Sequence, residues 1–451
     1  MKFSSRFILL LLATGFVFGC KPNLEIPEPS AGDANFAKTI AIGGNYMAGY
    51  QDGALFHDGQ MRSIPALLAR QFASVGGGDF NQVLIPGNDG FGWNYKSWES
   101  WFVKASRLNY RFDCEGTRSL GPVKDSLSRN AASLLFANNY SASNCNFSIP
   151  FARTAELFSS SLGINPGMNN TNPFYFRIAS NPGTSTAKAD AQNANATFFS
   201  AWLGMEDIYE YARRGGEGTT IMSAATFGLY LDSVFSSLTA NGAKGCIANI
   251  PGFRNFPYYS LIPWNGADLT VSKADSLTDI YETAGLTHIV FNAGANGFVI
   301  NDPNAPAGVR QIHTGEYITL SVPLDSMKCD YLGILFAVLP DQYVLDSSEV
   351  AFIDQMIASY NAVIAQKAQQ YGLAFVDANS YFNSVNTGIK WNGVDFTTES
   401  VSGGFYSLDG YHPNQNGYAL ITNEFIKAIN LKFKASIPTL NCVDCNGVLF
   451  P

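Results

Sequence analysis

Short apolar segments alternate with longer amphipathic segments along most of this chain. The short segments are rich in β-branched and aromatic residues and end near glycine or proline, which is typical of strands buried on both faces. They cover 39–42, 197–203, 246–250 and 373–376, with a weaker one at 288–291. The longer segments repeat apolar positions every three or four residues, as helices packed on a core do, and cover 63–72, 221–240, 346–371 and 414–430. This order predicts an α/β protein: a three-layer α/β/α sandwich with a central parallel sheet.

The stretch from 93 to 195 follows neither pattern. Asparagine, serine, glycine and aromatic residues mix there without a clear period, and the stretch is too long to be a simple connection in a compact domain. We therefore predict a large irregular insertion, or cap, that shapes one wall of a site. Cys114 and Cys145 flank one part of it and are predicted to form a disulfide that clamps it.

The first twenty residues have the composition of a lipoprotein signal. Basic residues precede a short apolar run at 7–18 that cannot span a membrane, and Val-Phe-Gly-Cys at 17–20 resembles a lipobox. This predicts a signal peptide at 1–19, a lipidated Cys20 with a linker at 20–35, and a main domain at 36–435. The mature protein is then exported and lipid-anchored to a bacterial outer membrane, on its periplasmic or its surface side. The alternative is an ordinary secretory signal with a coincidental cysteine.

Composition narrows the classes of partner. The 451 residues carry a net charge of −8 and have a pI near 5.1, which argues against nucleic acid as a partner. We expect no cofactor. The tail at 436–451 contains Cys442-Val-Asp-Cys445, which predicts a local disulfide. A zinc site would need further ligands, and neither a second cysteine pair nor a histidine is near in the sequence, so we expect no metal. Cys246, in an apolar run, is predicted to be buried.

The residues with chemical potential stand at the ends of predicted strands. Gly43 and Gly44 follow the first strand, and tandem glycines permit a sharp turn that presents Asn45 above the strand end. Open α/β sheets bind ligands outside the carboxyl ends of their strands. Before the last helix, Asp409 and His412 are three residues apart in a loop. At that spacing the carboxylate can hold one imidazole nitrogen and leave the other as a base.

In their order along the chain, these blocks resemble those of the SGNH/GDSL hydrolases, which are serine esterases and lipases, and in particular the exported lipoproteins of that family. The family's Gly-Asp/Asn-Ser-Leu block falls on Gly43-Gly44-Asn45-Tyr46, its Gly-x-Asn-Asp block on Gly204-Met205-Glu206-Asp207, and its Asp-x-x-His block on Asp409 and His412. The resemblance covers much of 41–429 apart from the insertion. It implies a flavodoxin-like sheet and ester hydrolysis.

Two family positions are substituted. Asn45 stands where the family has its nucleophilic serine, and an amide has no ionisable hydroxyl with which to attack an ester. Glu206 stands where the family has the oxyanion-hole asparagine, and a carboxylate repels the developing negative charge instead of donating to it. The family's glycine oxyanion donor is expected within 86–92, with Gly87 as our choice. The chain is therefore predicted to be a pseudoenzyme that retains Asp409 and His412 and binds an ester or acylated carbohydrate.

Other readings stay open on sequence grounds. Glu206 and His412 could activate a water molecule for the hydrolysis of an ester or acylated glycan. Tyr46 or Ser407 could supply a hydroxyl, although the ordinary tyrosine pKa of about 10 makes a poor nucleophile at neutral pH. A surface module that binds a partner is a further alternative, and its candidate aromatic side chains are Phe253, Tyr258, Tyr259 and Trp264.

Overall fold

A computed structural model of the chain describes residues 28–88, 90–92, 107–123, 137–165, 172–335, 337–445 and 447–448. Cys20 and the predicted signal peptide lie outside these residues. Within the described ranges, none of the helices is both long and apolar enough to cross a membrane.

Among the described residues, five parallel strands form the central sheet. They are β1 (Thr39–Gly43), β2 (Asn146–Ser148), β3 (Phe198–Trp202), β4 (Lys244–Ala248) and β5 (Ala374–Val376). Their order in space is β2-β1-β3-β4-β5, with every neighbouring pair parallel. This is the flavodoxin-like order of doubly wound sheets, in which the second strand lies outside the first. The predicted fold class is thus confirmed, and β1, the strand that precedes Asn45, lies inside the sheet.

Helices pack on both faces of the sheet. The helices within the described residues, not all of which contact the sheet, are Asn45–Ala48, His57–Met61, Ile64–Ala73, Pro173–Ile178, Ala187–Asn193, Met205–Arg213, Ala224–Thr239, Val271–Thr283, Leu324–Cys329, Ser347–Gln370, Ala378–Thr387 and Gln415–Phe433. Successive side chains of a strand point to opposite faces. On β3, Phe198 meets Phe433 of the last helix, whereas its neighbour Phe199 stacks on Phe235 of Ala224–Thr239. The two helical layers therefore lie on opposite sides of β3.

Local hydrogen bonds begin two of these helices where the sequence predicts. Asp346 accepts from the backbone N–H of Glu349 at 2.8 Å, and Glu349 accepts from the N–H of Asp346 at 2.9 Å. This capping box satisfies two backbone donors that have no partner within the helix. Asn414 caps the last helix by accepting from the N–H of Gly417 at 2.9 Å. That helix starts directly after the loop that holds Asp409 and His412.

Parts of the segment predicted to be an irregular insertion belong to the core. Asn146–Ser148 is the edge strand β2, and Pro173–Ile178 and Ala187–Asn193 are helices capped by Asn172 and Thr186. The prediction of irregular structure is wrong for these residues because β2 has only three residues and is stabilised by pairing with β1, not by a local pattern. The weaker run at 288–291 is not a strand in the structure, although Ile289 and Phe291 are buried.

Residues 262–345 form a side lobe with two apolar clusters separate from the main core. Short antiparallel pairs occur in the lobe and elsewhere: Arg107–Phe112 with Arg118–Val123, Ala267–Leu269 with Gly294–Asn296, Val299–Asn301 with Val309–Gln311, Tyr317–Ile318 with Val344–Leu345, and Ile389–Trp391 with Val394–Phe396. The first of these pairs, hereafter the hairpin (107–123), lies against the helix Leu324–Cys329 of the lobe.

The cysteines do not pair as the sequence predicts. Cys114 forms a disulfide with Cys329, 215 positions away, and not with Cys145. Cys145 lies at the start of the β2 region, where its backbone N–H donates to Asn81, whereas Cys114 is at the tip of the hairpin beside the side lobe. The predicted local disulfide is also absent, because Cys442 and Cys445 are both free thiols. Cys246 is fully buried in β4, as predicted.

Candidate functional site

Asn45 is presented at the end of β1 by the predicted tight turn. It opens the short helix Asn45–Ala48, which ends at Gly49 in the left-handed conformation, with φ of 84°. A Cβ atom on Gly44 would lie 3.0 Å from the side chain of Glu206. Glycine at position 44 is therefore what allows Glu206 to approach the turn so closely. The Asn45 side chain is itself buried.

The structure brings Asn45, His412 and Asp409 into one hydrogen-bonded chain. Nδ2 of Asn45 lies 2.9 Å from Nε2 of His412, and Nδ1 of His412 lies 2.7 Å from Oδ2 of Asp409. All three residues are at most 4% exposed. Amide, imidazole and carboxylate thus form a chain in the order in which a catalytic triad has its nucleophile, base and carboxylate.

The amide of Asn45 is engaged at both ends. Its Oδ1 accepts from the backbone N–H of Phe151 at 2.7 Å. Because that N–H can only donate, the carbonyl end of the amide faces Phe151 and the NH2 end faces His412. Nε2 of His412 must then accept, so the ring proton is on Nδ1 and is donated to Asp409. The nitrogen that would act as a base is already hydrogen-bonded.

Asp409 is held as a carboxylate. Burial opposes its ionisation, but the electrostatic attraction and hydrogen bond of the His412 ring, together with the N–H groups of His412 and Tyr411, lower its pKa overall. Its Oδ2 also accepts from the N–H of Gly53 at 3.0 Å. An ionised Asp409 with several donors orients the imidazole rigidly.

Phe151, which sequence reasoning missed, follows β2 and supplies the backbone donor at this site. Its φ of 64° is left-handed, an unusual conformation for a bulky residue, and it places the N–H against Asn45. Two buried polar side chains hold the surrounding loop. Asn172 donates to the carbonyl of Pro150 at 2.8 Å. Asp207 accepts from both the N–H and the hydroxyl of Thr154, at 3.0 and 2.7 Å, and burial raises its pKa to about 6.

Glu206 lies beside the turn but does not pair with His412. Its Oε2 accepts from Arg213 at 3.0 Å, and the glutamate is 3% exposed. The Arg213 guanidinium also lies over the rings of Tyr411 and Phe151, at 5.0 and 5.5 Å from their centroids. Arg213 is seven residues after Glu206 on one helix, a spacing of two turns that could have predicted the pair. Oε1 of Glu206 is buried with no hydrogen-bond partner among the described residues.

Gly87 is not placed at this site by any described contact. It is exposed in a loop with φ of 74°, and its carbonyl accepts from the N–H of His57. The backbone donor that faces Asn45 comes instead from Phe151. The strand beside β1 is Asn146–Ser148, and the loop after that strand, not the segment 86–92, supplies the backbone donor to Asn45.

The two hydroxyls considered as nucleophiles have other roles. The hydroxyl of Tyr46 donates to the carbonyl of Tyr411 at 2.7 Å, and burial raises the pKa of Tyr46 well above its ordinary value. Oγ of Ser407 accepts from the N–H of Asp52 at 3.0 Å. Both residues are buried. They connect the Asn45 turn with the loop of Asp409 and His412.

The aromatic residues considered for a surface module are mostly internal. Phe253, Tyr258 and Tyr259 are buried, and Trp264 is only partly exposed. Phe253 and Tyr259 pack edge to face in the core, so these side chains do not form the exposed patch that such a module would need. Over the described ranges, no cluster of three or more histidine, cysteine, aspartate or glutamate side chains is arranged to hold a metal ion.

Comparison with known proteins gives structural likenesses only. No family model matches the chain, and no curated protein matches it. A protein described as a GDSL-like lipase from Parabacteroides merdae matches at 10% identity and a TM-score of 0.34, over 89% of this chain and 100% of its own. An extracellular lipase from Streptomyces rimosus matches at 13% and 0.33, over 87% and 98%. An α/β-hydrolase enzyme from the metagenome of Lake Arreo, Spain, matches at 10% and 0.33, over 88% and 96%.

The site is defined by contacts within this chain. Asn45 at the end of β1 contacts His412 of the Asp-x-x-His loop, and His412 contacts Asp409. The sheet that carries them has the flavodoxin-like strand order. The chain therefore has a flavodoxin-like α/β architecture in which Asn45, His412 and Asp409 form one hydrogen-bonded chain at the end of β1.

Proposed function

We propose that this chain is a non-hydrolytic protein on a serine-hydrolase scaffold, which binds an ester or acylated carbohydrate without cleaving it. One observation carries the proposal: the Asn45 amide is hydrogen-bonded to both His412 Nε2 and the Phe151 N–H. In ester hydrolysis the first group would take the proton of the nucleophile and the second could stabilise the oxyanion. Asn45 occupies both and contributes no nucleophile.

Glu206 supports the same conclusion. Activation of water by Glu206 and His412 needs a carboxylate and an imidazole nitrogen that share a water molecule. Oε2 of Glu206 is paired with Arg213, and both ring nitrogens of His412 are hydrogen-bonded to Asn45 and Asp409. The ion pair also places the negative charge of Glu206 beside the turn, where an oxyanion would develop.

The experiment measures fluorophosphonate labelling and the turnover of a short-chain aryl ester by the mature protein and by variants at Asn45, Glu206 and His412. Wild type should be unlabelled and inactive. Asn45→Ser frees both His412 and the Phe151 N–H and should give trace labelling, while the matched Asn45→Ala should give none. Asn45→Ser with Glu206→Asn should exceed Asn45→Ser alone, because a donor then replaces the repelling carboxylate.

Two results would overturn the proposal. Robust wild-type turnover that Glu206→Gln abolishes would establish the water-activating mechanism instead. Robust wild-type turnover that survives changes at both Glu206 and His412 would place an active site elsewhere. Binding of the same aryl ester is measured separately by saturation-transfer NMR. If wild type gives no saturation-transfer signal, the binding part of the proposal is wrong.

Location is part of the proposal and has its own test. The lipobox at 17–20 supports export and anchoring through an acylated Cys20. Cys20→Ala should move the protein from the membrane fraction to the soluble fraction. Unchanged fractionation of Cys20→Ala would contradict lipid anchoring and leave the chemistry of Asn45 unaffected.

A further inference from the structure

A cavity of about 800 Å³ lies between the hairpin (107–123) and the side lobe (262–345). None of the residues that line it belongs to the group around Asn45 and His412. Its volume is within the range of about 300–1,000 Å³ that small-molecule sites have in proteins. The cavity is therefore large enough to be a second ligand site, separate from the one at the end of β1.

Although serine, threonine and charged side chains also line the cavity, its walls are mostly apolar. They come from both apolar clusters of the side lobe and from the hairpin, and the buried residues among them are Ala267, Leu277, Phe298 and Met327. Of the charged lining residues, Asp268, Lys273 and Lys328 are exposed. The side chains of Arg111 and Asp113 are only 19% and 6% exposed, and both are held in ion pairs. A ligand inside would therefore meet mostly hydrocarbon and a few polar side chains. Such walls match a chain that has no hydrogen-bonding groups of its own.

Two large apolar side chains of the lining face water in part. Leu120 on the hairpin is 42% exposed and Tyr331 on the lobe is 49% exposed. Exposed apolar surface that is continuous with a cavity is a usual mark of a ligand site. At the rim, Lys273 on the exposed side of Val271–Thr283 makes no ion pair with any described residue, and it is accessible to a polar head group.

Covalent and ionic contacts hold the hairpin over the cavity. The Cys114–Cys329 disulfide joins its tip to the lobe. Beside it, Arg111 pairs with Asp325 at 2.5 Å, and Lys328 pairs with Asp113 at 2.6 Å. These contacts join the hairpin to a single helix of the lobe, Leu324–Cys329. The hairpin is thus held in place although it contributes little to the core. A cavity held in this way is already formed before a ligand binds.

We propose that this cavity binds the hydrocarbon chain of a long-chain acyl compound and leaves its polar head at the rim near Lys273. The proposal goes beyond the function proposed above because it concerns a second site and does not depend on Asn45. The acyl chain can come from a free fatty acid or from a monoacyl lipid, which share the chain and differ in the head group.

The test uses the mature full-length protein and the fluorescence of cis-parinaric acid, a fatty acid whose emission rises in apolar surroundings. Ser276 lines the cavity from an exposed helix position, so Ser276→Trp should fill the space and weaken binding at least tenfold, while Ser276→Ala should not. Leu120→Asp should weaken binding similarly. Phe112→Asp is its matched control, because Phe112 is 71% exposed on the same hairpin and does not line the cavity.

The outcomes separate the possibilities. Competition by a lysophospholipid but not by a free fatty acid identifies a lipid as the source of the chain, and the reverse identifies the acid; either supports the site. No binding by wild type would overturn the proposal, as would binding unchanged in folded Ser276→Trp and Leu120→Asp. Binding lost in Asn45→Ala and unchanged in Ser276→Trp would place the chain at the end of β1 instead. Thermal unfolding of each variant confirms that it folds.

Discussion

Replacing Asn45 with alanine is the sharpest test of the hydrogen-bonded chain at the end of β1. The change removes both ends of the amide at once and leaves Nε2 of His412 and the N–H of Phe151 without their partner. Both groups lie in a buried site, where a polar group without a partner costs about 1–3 kcal/mol. The two together predict a loss of about 2–6 kcal/mol in the free energy of unfolding. If the smaller side chain admits a water molecule that bonds to these groups, the loss lies near the lower bound.

The assay is guanidinium unfolding of wild type and Asn45→Ala. When the free energy of unfolding depends equally steeply on guanidinium in both proteins, the shift in the unfolding midpoint reports the change in stability. Asn193→Ala is the matched control because Asn193 is exposed at a helix end and makes no described side-chain hydrogen bond. It should change stability by less than about 0.5 kcal/mol. Nitrogen NMR of the imidazole should also find Nε2 of wild-type His412 without a proton. A loss in Asn45→Ala no larger than in the control, or a protonated Nε2, would refute the reasoning.

Three further predictions concern charges. Because folding lowers the pKa of Asp409, its ionised carboxylate stabilises the protein above about pH 4, and this stabilisation is lost on acidification. Asp409→Asn should lower stability at neutral pH and make the loss of stability in acid less steep. Burial raises the pKa of Glu349 to about 8, so its contribution to the free energy of unfolding falls as pH rises from about 4 to about 8. Glu349→Gln should therefore stabilise the protein only at the upper end of this pH range, unlike the exposed control Glu282→Gln. Arg213→Met leaves Glu206 buried without its cation and should cost about 3–5 kcal/mol by chemical unfolding, with partial recovery when Glu206→Gln is added. The assignments would be contradicted if Asp409→Asn or Glu349→Gln had the same dependence of stability on pH as wild type. They would also be contradicted if Glu206→Gln restored no stability to Arg213→Met.

The sequence by itself determined the features whose physical cause is local. The capping box of Asp346 and Glu349 lies within one turn of helix, and the apolar periodicity after it decides which face is buried. β1 and the turn at Gly43 and Gly44 could be placed because a β-branched run followed by tandem glycines has few alternatives. The contact between Asp409 and His412 was also expected, since three residues separate them in one loop.

Tertiary structure decided the rest, and in each case the partners are distant in the sequence. The strand beside β1 is Asn146–Ser148, too short to be recognised alone and formed because β1 offers it an edge to pair with. Its position brings Phe151, and not Gly87, to Asn45. Cys114 bonds to Cys329 because the hairpin folds onto the side lobe, which no spacing of cysteines in the sequence can indicate.

The chemistry of the site also depended on this long-range geometry. The residue types alone placed an amide, Asn45, and a carboxylate, Glu206, just after predicted strands. Only the fold showed that the Asn45 amide bridges an imidazole 367 positions away and a backbone donor 106 positions away, and that Glu206 is paired with Arg213. A hydrogen bond needs its two atoms within about 3 Å, and for residues on different strands and loops the order of the sheet determines that distance.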